Sequence, residues 1–498
     1  MLSDRTLSAL EQFFQWAELL LVFILCCMVL MIAVFYLVDK FQTRHAVRRN
    51  FPVMGRFRYC FEHLGEFFRQ YFFAMDREEL PFNRAQRSWV YRAAKNIDNT
   101  IPFGSSKDIK RVGNIMFANC AYPTQSEDAV EPDKITVGEG CRHPWTTRAF
   151  FGISAMSFGA ISEPAVRALS AGAQKAGVWM NTGEGGLSPY HLEGGADLIF
   201  QIGTAHYGVR DAQGLLDDEK LRQVAAHESV KLIEIKLAQG AKPGKGGILP
   251  GIKVTPEIAA IRGIPAGRDS ISPNRHVDIK SNAELLDKLS HIRKVTGKPV
   301  GFKTVMGRPE WFEELFDEII RRGRESAPDF ITLDSADGGS GAAPMTLMDD
   351  MGMSIREALP LLIDALKRHG LRERIKVFAS GKLLNPTDVA WALCVGADFC
   401  NVARGFMFAL GCIQSLRCHQ NTCPTGVATH DKALQRGLVV SEKSERVANY
   451  ARNMMYEVGV IAHSCGVPEP RKLNLEHARI VVAEAHSIPL KTYYQRQN

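Results

Sequence analysis

Hydrophobic positions along the chain follow two different patterns. Residues 19–38 carry no charged side chain and are apolar almost throughout. Twenty residues at about 1.5 Å rise give roughly 30 Å, the thickness of a bilayer's hydrocarbon core. From residue 148 onward, short apolar runs alternate with longer helical ones. The runs 149–154, 232–236, 300–305, 330–334, 376–380 and 399–403 predict strands, and 162–176, 282–295, 310–322, 354–369 and 386–395 predict helices. Strand–helix alternation with glycine-rich strand exits predicts a parallel α/β fold. No GxGxxG fingerprint follows the first strand, which weighs against a Rossmann sheet. The expected fold is an α/β (β/α)8 TIM barrel with excursions, preceded by a transmembrane helix and a small helical connecting region.

The expected divisions are an N-terminal flank (1–18), a membrane anchor (19–38), a juxtamembrane connecting region (39–147), the barrel (148–465) and a C-terminal extension (466–498). Within the connecting region, residues 61–75 are aromatic and weakly amphipathic. They suit either an interfacial helix beside the membrane or a helix packed on the main domain. No second apolar run of span length occurs, so the first reads as an anchor and not as part of a transporter.

Charge sharpens the membrane reading. Between residues 39 and 70, Lys40, Arg44, Arg48, Arg49, Arg56, Arg58 and Arg69 outnumber Asp39, Glu62 and Glu66. The flank before the span carries Arg5 against Asp4, Glu11 and Glu18. The positive-inside rule then predicts a single-pass protein whose C-terminal, catalytic side is cytoplasmic. A cleaved signal peptide would want a basic n-region and a small-residue cleavage site, and neither is evident. Composition of 46% hydrophobic and 23% charged residues describes a substantial globular core. The net charge of +7 comes with no nucleic-acid-binding motif, so no nucleic-acid partner is expected.

Of 11 cysteines, most are scattered singly and read as small buried hydrophobes, or as packing residues in the span for Cys26 and Cys27. The stretch Gly411-Cys412-Ile-Gln-Ser-Leu-Arg-Cys418-His-Gln-Asn-Thr-Cys423-Pro424 differs. Its C-x5-C-x4-C-P spacing can wrap three thiolates around one site, as iron–sulfur loops do. Zinc, with His419 as fourth ligand, is the rival reading, although the usual tight C-x2-4-C pair is missing. Glycine-rich exits follow three predicted strands: Asp337-Gly338-Gly339-Ser340-Gly341, Ser380-Gly381-Lys382 and Ala403-Arg404-Gly405. They suit a phosphate-bearing group, or simply tight turns. Charged residues sit where strands end: Glu184 in the 181–186 loop, Lys236, Lys242, Lys245 and Lys303. Such lysines suit anionic substrates or a reduced flavin.

Further long stretches are Ser154-Ala-Met-Ser-Phe-Gly-Ala-Ile-Ser162, residues 235–251, Ile271-Ser-Pro followed by His276-Val-Asp278, and residues 337–344. Together with the cysteine loop 411–426, and in this order, they resemble the FMN-binding synthase domain of the glutamate synthase family over residues 148–465. The resemblance implies a barrel carrying FMN, with a [3Fe–4S] cluster on Cys412, Cys418 and Cys423. It implies hydride transfer from flavin N5 to 2-iminoglutarate formed from 2-oxoglutarate, or a related 2-oxo acid, and ammonia.

By the same resemblance Lys236, Glu184 and Lys303 are catalytic, with Lys303 stabilising charge at the flavin N1/O2 edge. Lys242 and Arg262, with Glu184, bind the oxo acid. Met156, Ser157, Lys303, Asp337, Gly338, Gly339, Gly381, Lys382, Ala403 and Arg404 hold FMN. The chain departs from the family at Ile248, Leu187, Phe200, His206 and Ser380, so its flavin and cluster motifs match better than its substrate shell. Neither a glutaminase domain nor an NAD(P)H-binding domain is expected. Ammonia would come free or from an amidotransferase partner, and electrons from a separate donor protein or a membrane quinone. Two other readings remain: a flavin and iron–sulfur dehydrogenase passing electrons between another small substrate and a quinone, and a non-catalytic scaffold.

Overall fold

The structure, a computed structural model, describes residues 4–495 and divides into two compact units, Met1–Arg84 and Ala85–Asn498. Residues 39–147, grouped in the sequence as one connecting region, are shared between them.

The first unit is built on one long helix, Asp4–Phe41. Its stretch Leu10–Phe41 is long and apolar enough to cross a membrane, and no residue of its most apolar window is buried in protein. The helix ends in a charge-locked turn. The Asp39 carboxylate accepts from Arg48 Nε and Nη2, from Arg56 Nε and Nη2, and from the Val53 amide. Five donors converging on one carboxylate fix how the helices Ala46–Asn50 and Met54–Phe68 follow the long one. Phe57, Phe61, Tyr71, Phe72, Phe73 and Met75 are exposed beyond that turn.

The second unit is a closed barrel of eight parallel strands: β1 (Phe151–Ile153), β2 (Met180–Asn181), β3 (Leu198–Ile202), β4 (Val230–Lys236), β5 (Val300–Val305), β6 (Phe330–Asp334), β7 (Lys376–Ser380) and β8 (Phe399–Val402). Each strand pairs with the next, and β8 closes on β1 through Val402 and Ile153. Most of these strands are buried along their whole length, as parallel barrel strands covered by helices must be. The TIM-barrel expectation holds, with six strands where the apolar runs predicted them. β2 and β3 were not predicted: β2 is two residues long, too short for a periodicity to register.

Close packing sets several positions. A side chain at Gly152 would meet the Trp179 ring at 2.3 Å, so β1 and the aromatic cluster of Trp145, Trp179 and Phe399 need glycine there. The long helix Val440–Ser464, also not predicted, packs on Glu163–Ala176. A Cβ at Gly172 would lie 2.4 Å from Val447 Cγ1 and 2.8 Å from the Ser444 carbonyl. Residues 115–117 pair with Ala478–Ala483, which pairs in turn with His486–Pro489, so segments from opposite ends of the unit share one antiparallel sheet.

The longest excursion between barrel strands lies between β4 and β5. There Ile248–Leu249 pairs with Ser270–Ile271 around the helix Pro256–Arg262. Replacing Gly172 by Val should wedge the two helices apart and cost about 1–3 kcal/mol, read as a lowered midpoint in thermal unfolding.

Candidate functional site

Strand register sets the electrostatics of the barrel mouth. Lys236 and Lys303 are register partners on β4 and β5, so two ammonium groups stand side by side in a buried wall. Like charges directly opposite in a sheet repel, and buried charges need partners. Each lysine has one. Lys236 Nζ lies 2.6 Å from Glu184 Oε1 and 3.0 Å from Gln239 Oε1. Lys303 Nζ lies 3.1 Å from Asp334 Oδ2. Burial works against the Lys303 charge, but Asp334 and Glu234 outweigh it and raise its pKa.

Glu184 is the centre of this arrangement. Burial favours its neutral form, yet Lys236, Lys242 and Arg262 together hold its pKa below the usual range. Its carboxylate is clamped between glycines: a Cβ at Gly203 would meet Oε2, and one at Gly247 would meet Oε1, each at 2.4 Å. Oε2 is buried and, among the described residues, has no hydrogen-bond partner; the same holds for Arg262 Nε. Lys242 donates to the Ala342 carbonyl at 3.1 Å, and burial, aided by Lys236, pulls its pKa down to about 8. Arg262 is held by Ser270 Oγ and the Phe158 carbonyl, with its guanidinium 5.1 Å from the Tyr207 ring centroid.

The exits of β6, β7 and β8 form a glycine-lined cradle beside these cations. Asp334 accepts from the Gly240 and Ser335 amides. A side chain on Gly240, Gly338 or Gly381 would strike Ser335. Gly381 also has φ of +125°, a conformation that favours glycine. Arg404 donates to the Asp337 carbonyl at 2.6 Å, and a Cβ on Gly339 would press on its side chain. The Asp337 carboxylate accepts from Ser335 Oγ and pairs with Lys382 at 3.6 Å. Such a cradle lets backbone N–H groups approach an anion closely, with Arg404 and Lys382 adding charge.

The cysteine loop follows β8 and the short helix Arg404–Leu410. It turns through left-handed residues at Gln414, Leu416 and Asn421. Cys412, Cys418 and Cys423 come near enough to act on one another's charge: burial pushes Cys412 up to about 12, and Cys418 and Cys423 push it the same way. Among the described residues their sulfurs do not form a group within 4.8 Å of one another. Thiolates at about 2.3 Å from one tetrahedral zinc would be about 3.8 Å apart. His419 is exposed. Buried Lys253 donates to the Cys418, Ala160 and Ala428 carbonyls, Tyr91 Oη to the Cys412 carbonyl, and His430 Nε2 sits 2.8 Å from the Gly159 carbonyl. These ties hold the loop against the 156–161 exit of β1.

Residues 114–468 match the conserved region in glutamate synthase. The chain belongs to the glutamate synthase family. It is 41% identical to a glutamate synthase large subunit-like protein, YerD, of Bacillus subtilis over 90% of this chain and 92% of that one. An archaeal-type NADPH glutamate synthase of Dehalococcoides mccartyi is 32% identical over 68% of this chain and 64% of that enzyme, so less than two thirds of its length is spanned. Among solved structures, a mutant flavocytochrome b2 with pyruvate bound is a distant likeness, at TM-score 0.46 and 16% identity over 88% of this chain and 91% of that one. The protein is thus an oxidoreductase of the glutamate synthase type.

In this family member the residues singled out from the sequence, the cysteine loop aside, fall into three clusters at the strand exits. Glu184, Lys236, Lys242, Arg262 and Lys303 form the charged wall. Asp337, Gly338, Gly339, Gly381, Lys382, Ala403 and Arg404 line the adjoining exits. Met156 and Ser157 are buried in the β1 exit, with Gly183 and Gly185 pressed on Ser157. Sequence reasoning missed Asp334 and Glu234. Glu234 shares the inward parity of Lys236 on β4 and accepts from Asn181, Gln201 and Thr332. An acidic residue two positions before a strand-end lysine was the available signal.

Removing one partner of a buried pair leaves the other charge uncompensated. Lys236→Met should therefore cost about 3–5 kcal/mol in denaturant unfolding. Adding Glu184→Gln should recover part of that loss, so the double variant unfolds at higher denaturant than Lys236→Met alone.

Proposed function

We propose that the chain is a membrane-anchored glutamate-synthase-type enzyme that reductively aminates 2-oxoglutarate or a related 2-oxo acid with ammonia. The observation that carries this reading is Glu184, a buried carboxylate ringed by Lys236, Lys242 and Arg262, whose Oε2 has no hydrogen-bond partner among the described residues. A free acceptor beside fixed cations suits a substrate that brings an N–H donor together with carboxylates.

In this reading Lys242 and Arg262 bind the substrate carboxylates, and Glu184 Oε2 accepts from the incoming nitrogen. Lys236 keeps Glu184 ionised. Lys303, kept cationic by Asp334 and Glu234, faces negative charge that develops at the mouth. The glycine cradle, from which any side chain would be excluded, fits the FMN phosphate together with Lys382, Ala403 and Arg404. Met156, Ser157 and Asp337 complete that set. Bound FMN supplies hydride-transfer chemistry from its N5. The three mutually interacting thiols of Cys412, Cys418 and Cys423 fit a [3Fe–4S] cluster, which supplies one-electron relay. The apolar helix, followed by the basic stretch from Lys40, supports a single-pass anchor with the barrel on the cytoplasmic side. Electrons would come from a separate protein or a quinone, and ammonia free or from an amidotransferase.

Half-buried Ile248, an apolar residue beside the charged wall, favours a second reading: a dehydrogenase that oxidises another small substrate and passes electrons to quinone. Purified protein assayed with reduced dye, ammonia and a panel of 2-oxo acids separates the two. Amination predicts ammonia-dependent product and dye oxidation. Quinone reduction with no oxo acid accepted would overturn it.

Two residue-level outcomes follow. Lys242 loses its proton as pH rises through about 8, so carboxylate binding should weaken there. KM for the oxo acid should climb above that pH, and Lys242→Arg should move the climb to higher pH. Cys423→Ser should lose most bound iron while flavin released on denaturation stays near one per chain.

A further inference from the structure

Behind Lys236, two histidines face each other with no donor between them. His206 follows β3 and His276 lies in the excursion between β4 and β5, and both rings are fully buried. His206 Nδ1 is 3.0 Å from the Gly214 carbonyl oxygen, and His276 Nε2 is 3.0 Å from the Lys236 carbonyl oxygen. A carbonyl oxygen can only accept, so each of these ring nitrogens carries the N–H. In a neutral imidazole the other nitrogen is then an acceptor. Those two acceptors, His206 Nε2 and His276 Nδ1, lie 3.4 Å apart.

Two lone pairs at that distance repel unless an electrophile sits between them. The separation is long for a shared proton, since hydrogen bonds from N–H are usually about 2.7–3.2 Å. It matches a metal ion: two nitrogens at about 2.0–2.1 Å from a tetrahedral centre are about 3.3–3.4 Å apart. A third ligand is at hand. A carboxylate oxygen of Asp278 lies within 4.8 Å of a ring nitrogen of each histidine. Asp278 Oδ2 is paired with Lys288 Nζ at 2.5 Å, so Lys288 neutralises the carboxylate that a metal would also use. Metal-bound histidines usually donate their second N–H to a carbonyl or carboxylate, as both of these do.

We propose that His206 Nε2, His276 Nδ1 and Asp278 form a site for a divalent transition metal with a preference for nitrogen and oxygen donors, of which zinc is the reference ion. The site would clamp the β3 exit to the 276–278 segment. Through the His276 N–H it would also fix the Lys236 carbonyl at the end of β4. It is separate from the cysteine loop and does not depend on which substrate the mouth accepts.

The test uses the full-length protein in detergent, chelator-washed under conditions that keep its iron and flavin content, then equilibrated with zinc and desalted. Elemental analysis should find about one zinc per chain, with zinc-edge X-ray absorption showing an imidazole-containing first shell free of sulfur. His206→Gln and His276→Gln should each weaken zinc binding at least about tenfold. Asp278→Asn, at a partly exposed position, should weaken it while leaving the fold intact, and Cys412→Ser should leave it unchanged. Wild-type protein that retains no stoichiometric zinc, a shell made of sulfur, or binding that survives the Asp278 and histidine substitutions would each overturn the proposal.

Discussion

Two lysines on adjacent strands set the terms for the whole catalytic face. Lys236 and Lys303 are fixed side by side by the β4–β5 register, and neither can turn to bulk water. Repulsion in that setting must be cancelled locally, because low-dielectric surroundings screen poorly. The cancellation comes from two other strands: Glu184 after β2 and Asp334 at the end of β6. The mouth therefore exists as a charged site only when the barrel is closed. The positive excess left by Lys242 and Arg262 then acts on whatever anion enters.

Asp334 links this charged wall to the glycine-rich exits. One carboxylate oxygen takes the Lys303 ammonium and the Gly240 amide, and the other takes the Ser335 amide. Ser335 is in turn the surface on which Gly240, Gly338 and Gly381 pack without side chains. Charge placement and backbone shape are thus set by the same residue. A change at Asp334 would disturb cation and cradle together, although the sequence shows it only as the last residue of an apolar run.

Lys253 has a comparable structural part on the other side of the mouth. Burial pulls its pKa down to about 8, yet it holds three carbonyls, from the β1 exit, the cysteine loop and the segment beyond it. A lysine so placed converts separate loops into one body without any regular secondary structure. That accounts for how a loop with three left-handed non-glycine residues can keep a defined path.

Local pattern alone revealed the apolar helix, six of eight barrel strands, the cysteine spacing and the glycine exits, because each depends on residues close together in the chain. Two strands escaped: β2 is two residues and its neighbours declare it only through pairing, whereas β3 is a five-residue apolar run that was passed over. The long helix Val440–Ser464 was also missed, since its apolar stripe is defined by what it packs against. Tertiary structure alone decided that Lys236 meets Glu184, that Asp334 pairs with Lys303, and that His206 faces His276 across seventy residues. The physical reason is common to all three. A charge or lone pair acts over a few ångströms of space, and chain closure into a barrel, not sequence spacing, sets which groups share that space.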